Sequence, residues 1–207
     1  MFDLLKARLR QGGQTTKFPR EQAMLPARFR GRPVLDESKC REGCRACADA
    51  CPTQAITTNP LRIDLGACLF CPVCEEACPE GAIVYTQDHR LAARSRAELV
   101  VAQGEARRAT ALDAKMRKLF DRSLKLRHVA AGDCSGCAAE LSATGNVVFD
   151  LGRFGIQFVA SPRHADGVLV TGPVTTNMEL ALRTTYAAVP EPKIMIAVGA
   201  CAISGGP

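Results

Sequence analysis

The sequence has no tryptophan and only two tyrosines, and aromatic residues make up 5% of its 207 positions. Base stacking on aromatic faces therefore has little to work with. No recognised nucleic-acid motif accompanies the net charge of +6, so nucleic acid is not an expected partner. No apolar run reaches the roughly 18 residues of a membrane span. The stretch from Met1 to Arg8 lacks the apolar core and small-residue cleavage site of a secretory signal. These absences lead to the expectation of a cytoplasmic chain. No Gly-x-Gly-x-x-Gly or Walker run, no flavin or NAD motif and no nucleophilic triad occurs, so no bond chemistry by the chain itself and no catalytic residue are expected.

Cysteine, in contrast, is abundant. Eleven is an odd number, and in a chain without an export signal a disulfide framework is disfavoured, so clustered thiols point to metal or redox work. The 47% apolar content suffices for a packed core. Positive charge is concentrated, with eight Lys or Arg against two acids in residues 1–32 and a second basic stretch from Arg90 to Arg127. Such a surface suits an acidic subunit, or an anionic membrane surface beneath a larger complex.

Four stretches differ in character. Residues 1–39 are basic, carry Pro19, Pro26 and Pro33, and read as an extended arm lying on a partner, with a short helix at 2–10. Residues 40–87 hold a duplication at a constant offset of 27, from Cys44 to Ile56 and again from Cys71 to Ile83. Each half closes on a β-prone piece, 55–58 and 82–85, which predicts an α+β ferredoxin-like module with pseudo-twofold symmetry. In residues 88–127, Leu112, Met116, Leu119, Phe120 and Leu124 recur at helical spacing and predict a helical linker. Residues 128–207 alternate apolar runs at 157–160, 167–171 and 193–198 with a helical stretch at about 175–188. That order predicts an α/β domain with a parallel sheet.

Bacterial ferredoxin runs have the form Cys-x2-Cys-x2-Cys-x3-Cys-Pro, with three thiolates on one [4Fe–4S] cube and the fourth on the other. Cys68, Cys71, Cys74, Cys78 and Pro79 match at every position. Cys44, Cys47, Cys51 and Pro52 match in the first run, but three residues separate Cys40 from Cys44 where two are usual. Crossing the fourth ligands assigns Cys40, Cys44, Cys47 and Cys78 to one cube and Cys68, Cys71, Cys74 and Cys51 to the other, and neither half should fold alone. Gly43, Ala46, Ala50, Gly81 and Ala82 would let the backbone approach the sulfurs. The competing reading is a pair of structural zinc sites.

The duplicated run, with Phe29-Arg30-Gly31-Arg32-Pro33 before it, resembles the 2[4Fe–4S] ferredoxin subunits of respiratory complex I and energy-converting [NiFe] hydrogenases. Downstream stand Leu126-Arg127-His128-Val129, the run from Asp133 to Glu140 containing Cys134 and Cys137, Ser161-Pro162-Arg163-His164-Ala165-Asp166, and Gly199-Ala200-Cys201. Together these resemble the 20 kDa subunit family of NADH:quinone oxidoreductase and the small subunit of [NiFe] hydrogenases. The resemblance implies a flavodoxin-like α/β domain, incomplete here, whose Cys134, Cys137 and Cys201 are three ligands of a third [4Fe–4S] cluster. The family's fourth ligand lies beyond the position where this sequence stops, at Pro207, so a fragment is expected. Cys134-x2-Cys137 sides with hydrogenases of the formate hydrogenlyase type, complex I members having adjacent cysteines there.

What the resemblance implies is an electron-transfer subunit whose partner is a large catalytic subunit, [NiFe] hydrogenase-like or, alternatively, quinone-reductase-like. The complex would sit at the inner face of the cytoplasmic membrane, which this chain meets only indirectly. A structural Fe–S docking module is the alternative from another class. Glu140 is expected on the opening turn of a helix, either as a proton-relay or contact residue or as an acid favoured by the helix dipole. His164 and Arg163 sit near the subunit interface by the same resemblance, the competing reading being solvated loop residues, and His128 and His89 are read as surface residues.

Overall fold

A computed structural model of the protein describes residues 2–103 and 123–206. The helix expected at 2–10 forms as α1 (Phe2–Gln11) and closes where Gly12, at φ +62°, returns its N–H to the Arg8 carbonyl. Beyond it, the arm lies on this chain's own later residues. The Thr16 N–H donates to the Val148 carbonyl at 2.8 Å, and the Thr15 hydroxyl to that of Val147 at 2.9 Å. Arg153 donates back to the carbonyls of Thr16 and Phe18, while the Phe18 ring meets His89 and Phe154 edge-on. An extended segment has unpaired backbone groups to offer, and the guanidinium fork takes two of its carbonyls. Over residues 15–18 the expected partner surface is thus supplied within the chain.

The ferredoxin-type region comprises β1 (Pro33–Leu35), α2 (Ala46–Asp49), β2 (Ile56–Thr58), β3 (Leu61–Asp64), α3 (Val73–Glu76), β4 (Ile83–Tyr85) and β5 (Val100–Ala102). Its strands exchange partners between repeats. β1, which leads into the first repeat, pairs antiparallel with β4, which closes the second; β3, leading into the second, pairs with β2, closing the first. Ile56, Ile63, Ile83 and Leu35 meet across these pairings and form the core with Leu61, Val101, Cys47, Cys68 and Cys74. β5 then pairs with the outer side of β3.

Strands at 33–35 and 100–102 carry this region past both ends of the expected 40–87 span. The described part of 88–127 is not helical: it holds a 3-10 turn, Arg96–Leu99, then β5, where the β-branched Val101 is buried against the core. An Arg96–Asp64 ion pair ties the turn to the end of β3. Leu112, Met116, Leu119 and Phe120 lie outside the described residues, and Leu124, assigned to the same helical stripe, begins a strand.

The second region has mixed α/β content: β6 (Leu124–Ala130), α4 (Gly136–Ala143), β7 (Ile156–Phe158), β8 (Gly167–Thr171), α5 (Thr176–Ala188), β9 (Ile194–Val198) and α6 (Ala200–Ser204). The four strands are parallel, in the order β7-β6-β8-β9. The three expected strands and the helix all form. In β6, Leu124 and Leu126 alternate with Lys125 and Arg127 at the period of a strand, and pairing with β7 and β8 makes Leu124 part of that strand and not of the helical stripe. β8 is buried along its whole length, the apolar signature of an inner parallel strand. No helix among the described residues is long and apolar enough to cross a membrane.

Leu126 is 3% exposed on β6, so Leu126→Ala is expected to destabilise the α/β region by about 2–5 kcal/mol. Urea denaturation followed by far-UV circular dichroism tests this; an unchanged midpoint would rule out residues 124–130 as an inner strand.

Candidate iron–sulfur sites

The duplication extends to backbone detail. α2 and α3 stand 27 positions apart, as do the buried Cys47 and Cys74. So do two pairs of residues in the left-handed region: Gly43 (φ +75°) with Phe70 (φ +53°), and Gln54 (φ +52°) with Gly81 (φ +62°). A Cβ added at Gly43 or Gly81 meets no other atom of the chain within 4 Å, and the positive φ of their turns is what favours glycine there.

Ahead of the cysteine runs the offset becomes 28. Leu35 corresponds to Ile63, and Asp36, whose carboxylate accepts from the Ser38 N–H, corresponds to Asp64, which accepts from the Gly66 N–H. Cys40 and Cys68 are likewise 28 apart, whereas Cys44 and Cys71 are 27 apart. The extra residue thus lies between Cys40 and Cys44, in an exposed loop, and leaves Cys40 in the place equivalent to Cys68.

The thiols gather in two crossed groups of four. Burial pushes the Cys40 thiol up, and so do Cys78 and Cys44 beside it. Cys47 is raised by burial, then by Cys78 and Cys40. Cys74 is raised by burial and by Cys68, Cys71 and Cys51, against a lowering contribution from its Tyr85 hydrogen bond. Each group therefore takes its fourth member from the other repeat.

This donor set fits thiolate-bound cubes. The Ala55 N–H points at Cys51 Sγ (3.3 Å) and its repeat equivalent, the Ala82 N–H, at Cys78 Sγ (3.2 Å); the Phe70 N–H points at Cys68 Sγ (3.3 Å). Donors aimed at sulfur stabilise thiolate character. A structural zinc gathers its thiolates about 2.3 Å from one centre. Among the described residues no three His, Cys, Asp or Glu side chains converge in that way. A cube takes one thiolate at each iron corner and holds the four sulfurs farther apart. When bound, such clusters carry single electrons.

A third group forms at the carboxyl ends of the parallel strands, where open α/β sheets hold their ligands. Cys134 follows β6, Cys137 opens α4, and Cys201 lies in α6 directly after β9. Burial, then Cys134 and Cys201, raises the Cys137 thiol, so the three sulfurs are neighbours. Gly199, at φ +89°, is packed against Cys137 Sγ, where a Cβ would collide.

A half-buried hydrogen-bonded chain beside this group has no signal in the sequence. The Thr171 hydroxyl, fully buried, joins the Asp133 carboxylate, whose other oxygen accepts from the Ser135 N–H, and His128 Nε2 lies 3.0 Å from Thr171 Oγ1. His128 is therefore a half-buried network residue and not a surface one. Strand pairing explains the difference: β6 and β8 set His128 and Thr171 close on adjacent strands. His89 packs on Phe18. Glu140 is exposed in the second turn of α4, past the reach of the helix N-terminus. Arg163 and His164 are exposed, while Asp166 accepts from the Lys125 N–H at 2.7 Å and ties the loop to β6.

Gly199→Ala forces a collision with Cys137 Sγ and puts alanine at φ +89°, ψ 157°, a conformation open essentially to glycine alone and costing about 1–3 kcal/mol; Gly43→Ala meets no atom within 4 Å and carries only the penalty of a positive φ. Denaturation midpoints should fall more for Gly199→Ala, and equal falls would deny the close packing at Cys137.

Residues 39–82 match the family model of the 4Fe-4S dicluster domain, and residues 134–207 that of the NADH ubiquinone oxidoreductase, 20 Kd subunit. Among the curated proteins, a probable membrane-bound hydrogenase subunit of Pyrococcus furiosus is 45% identical over 92 residues, 44% of this chain and 55% of that protein. Formate hydrogenlyase subunit 7 of Escherichia coli is 44% identical over 95 residues, 46% of this chain and 37% of its own length. An NADH-quinone oxidoreductase subunit of Geotalea daltonii is 54% identical over 70 residues, 34% of this chain and 41% of that one. The chain thus spans about half, or less, of the length of these relatives. Its first cysteine-rich segment matches a 4Fe-4S dicluster domain, which indicates two [4Fe–4S] clusters, and residues 134–207 are similar to the 20 Kd subunit of NADH ubiquinone oxidoreductase.

Proposed function

We propose that the chain is an electron-relay subunit of a multi-subunit oxidoreductase, passing single electrons through the two ferredoxin-type cubes towards a catalytic centre in a partner subunit. The observation that carries this reading is the crossed grouping of eight thiols, three with Cys78 and three with Cys51, in two repeats with amide donors aimed at sulfur. In this reading Cys40, Cys44, Cys47 and Cys78 ligate one cube, and Cys51, Cys68, Cys71 and Cys74 the other. Cys134, Cys137 and Cys201 supply three ligands of a third. The parallel sheet and its flanking helices support a flavodoxin-like architecture for the second region.

The partner is a [NiFe] hydrogenase-like large subunit in the reading favoured by the two-residue spacing between Cys134 and Cys137. The 54% identity to the Geotalea daltonii NADH-quinone oxidoreductase subunit favours a second reading, a quinone-reducing partner. Both readings make the chain a peripheral subunit, at the inner face of the membrane.

Anaerobic reconstitution of the whole chain is expected to give about eight iron and eight sulfide per polypeptide, with reduction by a low-potential donor visible by electron paramagnetic resonance. About twelve of each would mean that the third site assembles as it stands. Zinc without sulfide, or cubes that accept no electron, would sink the relay. Replacing Cys78 by serine should disturb the same spectral component as Cys44→Ser, and not the component disturbed by Cys71→Ser.

A further inference from the structure

The two repeats agree in backbone but differ in what surrounds their sulfurs. Tyr85 ends β4, and its hydroxyl lies 3.5 Å from both Cys68 Sγ and Cys74 Sγ. These two cysteines belong to the same group of four. The phenol is held there from three sides: its backbone pairs with Pro33 of β1, its N–H meets Glu75 Oε1 at 3.4 Å, and its ring packs against Phe70 with centroids 6.3 Å apart. The equivalent position in the first repeat is Thr58, which ends β2 with the same burial pattern but carries a hydroxyl too short to reach across to a neighbouring loop. A second hydroxyl acts on the same group, Thr53 Oγ1 lying 3.7 Å from Cys51 Sγ. Its counterpart is Glu80, which is instead ion-paired to Arg41.

The group of Cys51, Cys68, Cys71 and Cys74 thus receives both hydroxyls and two amide donors, from Ala55 and Phe70. The group of Cys40, Cys44, Cys47 and Cys78 receives the Ala82 amide at Cys78 and the Ala48 and Cys47 amides at Cys47, so the two groups differ in hydroxyls and not in amides, and two carboxylates, Glu37 and Asp36, are close enough to act on Cys40. A thiolate bound to iron has no proton to give, so the hydroxyl must donate. Donation to sulfur favours the reduced, more negative cube, and a nearby carboxylate disfavours it. Exposure of Cys40 to water works in the opposite direction, which is why the hydroxyl has to be isolated by substitution.

Resting on the two-cube reading above, we propose that Tyr85 makes the cubes inequivalent: its hydroxyl donates its one proton to the thiolate of Cys68 or of Cys74, both within its reach, raises the reduction potential of their cube, and makes that cube the first to accept an electron. Tyr85 is a positioning and tuning residue, and the asymmetry gives the pair a downhill direction from the Cys40 cube to the Cys68 cube.

The test is a redox titration of the reconstituted full chain, followed by electron paramagnetic resonance, for wild type, Tyr85→Phe and Thr58→Val. Wild type should show two steps. Tyr85→Phe keeps the ring and should weaken reduction of the higher-potential cube up to about tenfold, which for one electron is 59 mV, leaving the lower step in place. Thr58→Val should move neither. A chain labelled with 3-fluorotyrosine, a stronger donor, should shift the higher step upward and serves if Tyr85→Phe loads poorly. Movement of the lower step in place of the higher overturns the proposed order, and movement of neither overturns the role of the hydroxyl. A wild-type chain that binds no cubes would instead refute the two-cube reading itself.

Discussion

Exchange between the two repeats is the constraint on which the ferredoxin-type region depends. β1 has no partner in its own repeat and neither does β4; each obtains its hydrogen bonds only when the other half is folded. The thiols repeat the exchange, Cys78 standing with the first run and Cys51 with the second. Strand pairing brings Ile56 against Ile63 and Leu35 against Ile83, and that apolar contact buries Cys47, Cys68 and Cys74 beside it. A core this small has little apolar area, so binding of cubes to the folded state contributes to its stability.

The parallel sheet solves a different problem. Its strands all run the same way, so the loops after β6, β8 and β9 meet at one edge, and Cys134, Cys137, Thr171 and Cys201 are gathered from positions far apart in the chain. Gly199 allows the last of these loops to pass against Cys137, and the Asp133–Thr171 hydrogen bond links the loop after β6 to the end of β8. The arm at 15–18 binds residues 147–154 on one side and packs Phe18 on His89 on the other, so both regions share one segment.

Much of this was legible because cysteine runs and repeats are local features. The offset of 27 placed α2 with α3 and β2 with β4, and apolar runs marked β7, β8 and β9. β6 was harder to see: Leu124 and Leu126 alternate with Lys125 and Arg127 at the strand period, but Leu124 also falls in register with the helical spacing of Leu112, Met116 and Phe120, and pairing with β7 and β8 decides for the strand. β5 was hidden for a related reason, since Val100–Ala102 is too short to signal a strand until β3 offers its free edge.

The sequence by itself determined the identity and spacing of the thiols and the duplication, because these are properties of order along the chain. Tertiary structure alone decided what lies beside the sulfurs. Tyr85 reaches Cys68 and Cys74 because β4 is docked on β1, and His128 reaches Thr171 because β6 lies beside β8. Neither contact has a signature in residue spacing, since hydrogen bonds between distant side chains depend on how strands pair and which face each residue occupies.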